Sequence, residues 1–217
     1  MDKMELLPRE EFFPHWILFV LLGAVLLISG LKYLRPAVFQ HFSATYVKPP
    51  STIPQAKEHL SLSGKASWML LLNYFITSSV CTYMMLLHFE IDRYYLIFLP
   101  TAFYFYQVFA LYFAVWISGE TRRLTENILL LNFTYQNLGL FLIPVLIAWL
   151  LNVNYSVLFI NITLIIFVLF ATLRLIRGFF FALRNKVLWY YIILYLCSLE
   201  IWPLIVLFKL LSANLKG

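Results

Sequence analysis

The feature that most constrains this chain is a succession of six long apolar segments. They cover approximately residues 15–34, 66–88, 94–117, 128–151, 155–176 and 187–211. A helix needs roughly 20 apolar residues to cross a bilayer. Each segment is continuously apolar, whereas a strand of a membrane barrel alternates its faces and is about half as long. The sequence therefore predicts an all-α polytopic membrane protein.

Most connections between these segments are short, so consecutive helices are predicted to lie antiparallel in one bundle. We therefore expect residues 1–217 to form a single transmembrane domain of six helices. The exception is the connection at 35–65, where Pro49, Pro50 and Pro54 rule out a continuous helix. With 63% hydrophobic and only 12% charged residues, the chain leaves no room for a soluble catalytic domain.

The distribution of basic residues predicts the orientation, because positively charged connections resist translocation. Of the 16 Lys and Arg residues, eleven lie in or beside the first, third and fifth connections, and five lie on the other side. We expect those three connections, including 35–65, to be cytoplasmic and both termini to be periplasmic. The net charge of +6 then reflects topology, and charges scattered among membrane ends do not indicate nucleic-acid binding.

Aromatic residues make up 19% of the chain, and several lie near the ends of predicted spans. Amphipathic rings favour the interface between membrane and water, so these positions are typical of an aromatic belt. They are Tyr94, Tyr95, Trp116, Trp149, Tyr155 and Trp189. The bilayer is the first partner that the sequence predicts.

Glu200 lies at the centre of the last span, where a charge costs on the order of 3 kcal/mol. Such a group needs a partner, a proton or water. Counting 1.5 Å per residue from each span's centre places several amide side chains within roughly 7 Å of the midplane. They are Asn73, Gln107, Gln136, Asn137 and Asn161. We predict that these residues and Glu200 form an intramembrane polar cluster.

Span four should lie inside the bundle, because it carries polar residues at helical spacing. Asn132 and Gln136 share one face, and Tyr135 and Gly139 share an adjoining one. Arg174 matches Glu200 by charge, yet counting places it some 13 Å from that depth. We expect Arg174 to extend to the cytoplasmic surface instead.

Pro203 follows Glu200 by three positions and removes an amide from the helix, so a kink is expected there. The resulting polar pocket has two interpretations. The carboxyl group could be a protonated or hydrogen-bonded clasp that holds the last span to spans three and four. Alternatively, it could bind and release a proton or cation. The clasp is favoured, because no cation is predicted inside the membrane.

No catalytic residue, metal site or cofactor is predicted. The four histidines stand at membrane ends or in the long connection, and no metalloprotease, hydrolase or phosphate-loop motif occurs. The segment "SGETRRLTEN" places Arg122 and Arg123 where they could contact a phosphate or a partner. A solvated turn with Thr125 capping span four is the commoner arrangement.

The last segment also resembles a known family. Its sequence, "NKVLWYYIILYLCSLEIWPLIVLFKLL", is similar to the C-terminal signature of small polytopic inner-membrane proteins of Bacteroidota, catalogued as domain of unknown function forty-two seventy-one. The resemblance implies an envelope protein of Gram-negative bacteria without a known activity. Tyr190, Tyr191, Glu200 and Pro203 would be signature positions. We treat Tyr190 and Tyr191, like the arginine pair of the third connection, as candidate partner contacts.

Three classes of function follow from these features. The first is a non-catalytic integral subunit or accessory of a larger envelope complex, for example one in protein export or envelope biogenesis. Its partners would be other integral membrane subunits. The second is a small proton-coupled transporter or channel that uses Glu200. The third, an integral-membrane enzyme, is disfavoured by the motif search.

Overall fold

The computed structural model describes residues 13–34, 64–118 and 121–184. These ranges form five α-helices: α1 Trp16–Leu34, α2 Lys65–His88, α3 Leu99–Ser118, α4 Thr121–Leu151 and α5 Ser156–Arg184. Short 3-10 helices at Tyr94–Phe98 and Val153–Tyr155 precede α3 and α5. No strand occurs within the described ranges, which confirms the all-α class for them.

The five helices overlap the first five predicted spans, and each is long and apolar enough to cross a membrane. The predicted sixth span at 187–211 lies outside the described residues, together with Tyr190, Tyr191, Glu200 and Pro203. Most of the connection at 35–65 lies outside them as well. The described part of the chain is thus a helical bundle with five candidate membrane spans.

Two helices extend past the apolar segments that predicted them. α4 begins at Thr121, ahead of the predicted start at 128, and α5 continues to Arg184, beyond the predicted end at 176. The prediction that Thr125 caps span four is therefore wrong, and Arg122 and Arg123 lie in the first turn of α4. An apolar segment reports the part of a helix that suits lipid, whereas the helix itself can continue into polar residues at either end.

α2 and α4 form the centre of the bundle. About half of each spanning segment is buried, 56% for α2 and 50% for α4, against 22% for each of the other three. The central position predicted for span four is confirmed. The equally central position of α2 was not predicted, because its small polar residues show no single stripe.

A glycine sets the distance between these two central helices. A Cβ atom added at Gly139 would lie 2.7 Å from the Cα atom of Tyr74 and 3.0 Å from its Cβ atom. Small residues permit such close backbone approach between membrane helices, where van der Waals packing drives association. Gly139 therefore lets α4 lie directly against α2.

Of the positions predicted for the aromatic belt, the structure exposes four and buries one. Tyr94, Tyr95, Trp116 and Tyr155 are all exposed. Trp149 is fully buried, and its Nε1 donates a hydrogen bond to Ser156 Oγ at 3.1 Å. Trp149 lies on a central helix, so other helices surround its ring even near the end of the span. Trp189 lies outside the described residues.

We expect Gly139→Ala to destabilise the bundle by about 1–3 kcal/mol, because the added methyl group meets backbone atoms that cannot rotate away. The matched control is Gly23→Ala, since a Cβ atom there has nothing within 4 Å. Thermal unfolding of both variants in the same detergent measures the difference. Equal melting temperatures for the two variants would contradict the close approach.

Candidate functional site

Three helices meet at the side chain of Gln107 on α3. Its Oε1 atom accepts a hydrogen bond from the hydroxyl group of Tyr135 on α4 at 2.6 Å. The same oxygen accepts a second bond from Nη1 of Arg174 on α5, also at 2.6 Å. All three side chains are buried. Bonds to a charged donor are stronger than neutral ones, so this oxygen ties the three helices together firmly.

A second bond joins α3 to α4 on the same face. Tyr104 precedes Gln107 by three residues, and its hydroxyl group donates to Asn132 Oδ1 at 2.8 Å. The rings of Tyr104 and Tyr135 meet edge to face, with centroids 5.3 Å apart and an interplanar angle of 84°. That geometry is the favoured one for aromatic pairs. The site is therefore one layer of alternating hydrogen bonds and ring contacts.

α2 bonds to α4 through Gln136, one of the two other predicted polar residues of α4. Gln136 Nε2 donates to Ser67 Oγ at 2.7 Å. Asn137 bonds within its own helix, because its Nδ2 donates to the carbonyl oxygen of Phe133 at 2.7 Å. The polar stripe of span four thus points inward, as predicted, but its members bond to two different helices, α2 and α3, and to the backbone of α4 itself.

The other residues of the predicted polar cluster take no part in these bonds. Asn73 is fully buried on α2, and neither of its side-chain polar atoms has a hydrogen-bond partner within the described part of the chain. Asn161 on α5 is exposed. Glu200 and the expected kink at Pro203 lie outside the described residues. Of the predicted cluster, the structure buries Gln107, Gln136, Asn137 and Asn73, and each bond seen joins them to Tyr, Arg, Ser or backbone rather than to one another.

Arg174 corrects one prediction and adds the most important residue to the site. It does not extend to the surface: it is only 8% exposed and bonds to Gln107. Side chains in a helix lean toward its N-terminus. From the C-terminal part of α5, that direction leads toward the middle of the bundle. Counting Cα positions alone missed this reach, and the direction of the helix was the signal that could have found it.

The space around the site is small. A cavity of about 10 Å³ lies beside Arg174, roughly the volume needed for one water molecule. Its walls are Phe133, Thr134, Phe170, Leu173, Arg174 and Arg177. Arg177 lies over the Phe133 ring, with its guanidinium carbon 5.5 Å from the ring centroid. The arrangement can fix helices and hold a charge, but the described residues leave no chamber for a substrate here.

The fold and the site together define the class: a helical bundle with five candidate membrane spans, joined by buried polar contacts. The chain belongs to the family described as Domain of unknown function (DUF4271), whose profile matches residues 17–211. The match begins in α1, includes the other four helices and extends to the end of the predicted sixth span. The resemblance noted in the last segment is thereby confirmed. No curated protein and no solved structure matches the chain.

We expect Gln107→Leu to destabilise the bundle more than Tyr135→Phe. The first change leaves a buried guanidinium group without this acceptor. The expected loss in unfolding free energy is about 1–3 kcal/mol or more, as for other unsatisfied buried groups. The second removes one hydroxyl bond, worth about 0.6 kcal/mol on average between membrane helices. Unfolding in mixed micelles measures both changes. Tyr112→Phe, at an exposed position of α3, is the control and should be neutral; the reverse order of the first two would refute the role of Gln107.

Proposed function

We propose that the chain is a non-catalytic integral subunit or accessory of a larger envelope complex in the bacterial inner membrane, for example one that serves protein export or envelope biogenesis. The observation that carries this proposal is an aromatic face on α3. It consists of Phe105, Phe109, Phe113 and Trp116, each more than half exposed. Their spacing of four, four and three residues keeps them on one side of the helix.

The rings of this aromatic face pack against one another. Phe109 and Phe113 are stacked, with centroids 6.4 Å apart and an interplanar angle of 15°. Phe113 and Trp116 follow, with centroids 6.0 Å apart. Aromatic side chains present a large contact area on few rotatable bonds, and they are enriched in the cores of protein interfaces. A preformed row of rings is therefore well suited to dock a helix of another subunit.

The exposed surface of α5 provides a comparison within the same bundle. Between residues 156 and 177, where the side chains of α5 are described, the exposed large side chains are aliphatic: Val157, Leu158, Leu164, Ile165, Val168, Leu169 and Ile176. Such a surface can contact lipid tails without any specific protein partner. The aromatic face of α3 differs from it in chemistry while lying in the same apolar layer. That difference supports a protein partner at α3 and lipid at α5.

We expect Phe109→Ala combined with Phe113→Ala to reduce the recovery of a partner membrane protein with the tagged chain several-fold, because the ring surface that docks it is lost. The measurement is copurification from native membranes in a mild detergent, followed by quantitative mass spectrometry. The matched control is Ile165→Ala combined with Leu169→Ala on the aliphatic surface of α5, which should leave recovery unchanged.

Two results of this copurification would contradict the proposal or part of it. If the wild-type chain emerges alone, as a homogeneous monomer or dimer without a stoichiometric partner, the subunit proposal fails. Equal losses from the α3 and α5 variants would instead remove the aromatic face as the docking surface.

A small proton-coupled transporter or channel that uses Glu200 is the second candidate. The observation that favours it is Arg174, a charged residue buried within a candidate span. Intramembrane charges commonly mark ion or proton pathways. The cavity of about 10 Å³ beside it favours the subunit instead. Proton flux in liposomes that carry only this chain would decide for the transporter.

The proposed location includes an orientation, with both termini periplasmic and the connection at 35–65 cytoplasmic. We expect a cysteine introduced at Gly217 to react with an impermeant maleimide in cells whose outer membrane has been opened. A cysteine at Ser51 should react only after the inner membrane is disrupted. The parent chain, which carries the native Cys81 and Cys197, provides the background level. Labelling in the opposite order would invert the proposed topology.

A further inference from the structure

We propose that a cavity at the junction of α2 with the 3-10 helix Tyr94–Phe98 binds the ammonium group of an ethanolamine phospholipid headgroup. The cavity has a volume of about 340 Å³, which lies in the range of roughly 300–1,000 Å³ found for small-molecule sites. Its walls include Tyr83, Leu86, Leu87, Glu90, Asp92 and Tyr94. None of them belongs to the aromatic face of α3, and the site is independent of the proposed function.

The cavity lies where two candidate membrane spans end. The span on α2 reaches His88, and the next span begins at Tyr94. Glu90 and Asp92 stand in the connection between them, whereas the other walls named above belong to the two spans. The cavity is therefore lined by apolar and aromatic side chains toward the membrane and by carboxylates toward the connection. A ligand with a cationic group next to an apolar body suits this division.

The charge of the cavity favours a cation. The side chains of Glu90 and Asp92 are exposed, and neither forms an ion pair within the part of the chain that the structure describes. A primary ammonium group can donate three hydrogen bonds, enough for both carboxylates, whereas the trimethylammonium group of choline donates none. Tyrosine rings also attract cations, and two of them contribute to the walls. Ethanolamine therefore fits the cavity better than choline or an uncharged glycerol headgroup.

Glu90 stands at a position where glycine is the usual residue. After the C-cap of α2, the amide of Glu90 donates to the carbonyl oxygen of Leu87 at 3.3 Å. The amide of Ile91 donates to the carbonyl oxygen of Leu86 at 3.0 Å. This pair of bonds commonly has glycine at the residue with positive φ, and Glu90 has a φ of 53°. Its negative charge also lies at the negative end of the helix dipole. The turn gives no reason for an acid here, and a cationic ligand does.

A headgroup of the surrounding bilayer is a better source of the ammonium group than a free amine. Exposed charges contribute little to affinity individually, so the site is weak. The occupancy of a weak site depends on the concentration of its ligand. A bilayer presents headgroups at high local concentration beside the ends of the spans, and the acyl chains of a bound lipid remain in contact with the apolar surface of the bundle.

Thermal unfolding of the purified chain in a neutral detergent tests the site. Phosphatidylethanolamine added to the micelles should raise the melting temperature by a few degrees, because a ligand that binds the folded state stabilises it. Phosphatidylcholine and phosphatidylglycerol with the same acyl chains should each raise it less. Free ethanolamine at the same concentration should leave it unchanged.

The variant that carries both Glu90→Gln and Asp92→Asn should bind phosphatidylethanolamine about tenfold more weakly, because both charges that attract the ammonium group are lost. The measurement is the shift in melting temperature as a function of lipid concentration. Arg93→Gln is the matched control and should leave the affinity unchanged, because Arg93 is an exposed neighbour that is not part of the cavity wall.

Glu90→Gly separates the ligand from the turn. Without lipid, this variant should melt at or above the temperature of the parent chain, because glycine adopts a positive φ without strain. With phosphatidylethanolamine, it should gain less than the parent chain gains. A residue that served only the turn would not produce these two effects together.

Four results would overturn the proposal. The three phospholipids could stabilise the chain equally, or free ethanolamine alone could reproduce the effect. The variant without both carboxylates could retain the full response to phosphatidylethanolamine. Finally, Glu90→Gly could lower the melting temperature in the absence of lipid, in which case the acid serves the turn.

Discussion

A polar side chain in a lipid-embedded bundle must find its partner inside the protein, because hydrocarbon offers none. Gln107 shows how this constraint organises the structure. One carbonyl oxygen accepts from Tyr135 and from Arg174, so a single atom fixes the mutual positions of α3, α4 and α5. The edge-to-face contact of Tyr104 with Tyr135 then limits rotation of α3 against α4. Apolar surface gains no hydrophobic driving force from helix contact in a membrane, since lipid tails are as apolar as leucine, so these polar bonds add specificity to the packing.

The sequence predicted the helices better than the contacts between them. Continuous apolarity gave five helices within the described residues, and helical spacing gave the inward stripe of α4, because both follow from burial alone. The position of each residue along the axis of the bundle was less predictable. Counting from span centres assumes that every helix is centred on one plane, yet Gly139 at the centre of its span contacts Tyr74, three residues before the centre of the α2 span. The two helices are thus offset by roughly 4 Å.

The two residues whose contacts were least expected share one physical cause. Gln136 reaches back toward the start of α4 to bond with Ser67, near the start of α2. Arg174 reaches toward the start of α5 and so enters the bundle instead of leaving it. In both, the lean of helical side chains toward the N-terminus decides the partner. Asn161 shows the complementary error: its depth was suitable, but it faces outward, and depth alone carries no information about the face.

Arg174 also bears on the choice between a clasp and a proton carrier. The clasp was first favoured because no intramembrane cation was expected, and a buried arginine removes that reason. It supplies a better one. A guanidinium group keeps its charge at every physiological pH, and the guanidinium group of Arg174 donates to Gln107 in the interior of the bundle. A proton carrier must alternate between two states, whereas a permanent charge held in this way serves to join α5 to α3. A bundle fixed by such bonds agrees better with a subunit whose outer helix faces do the recognition.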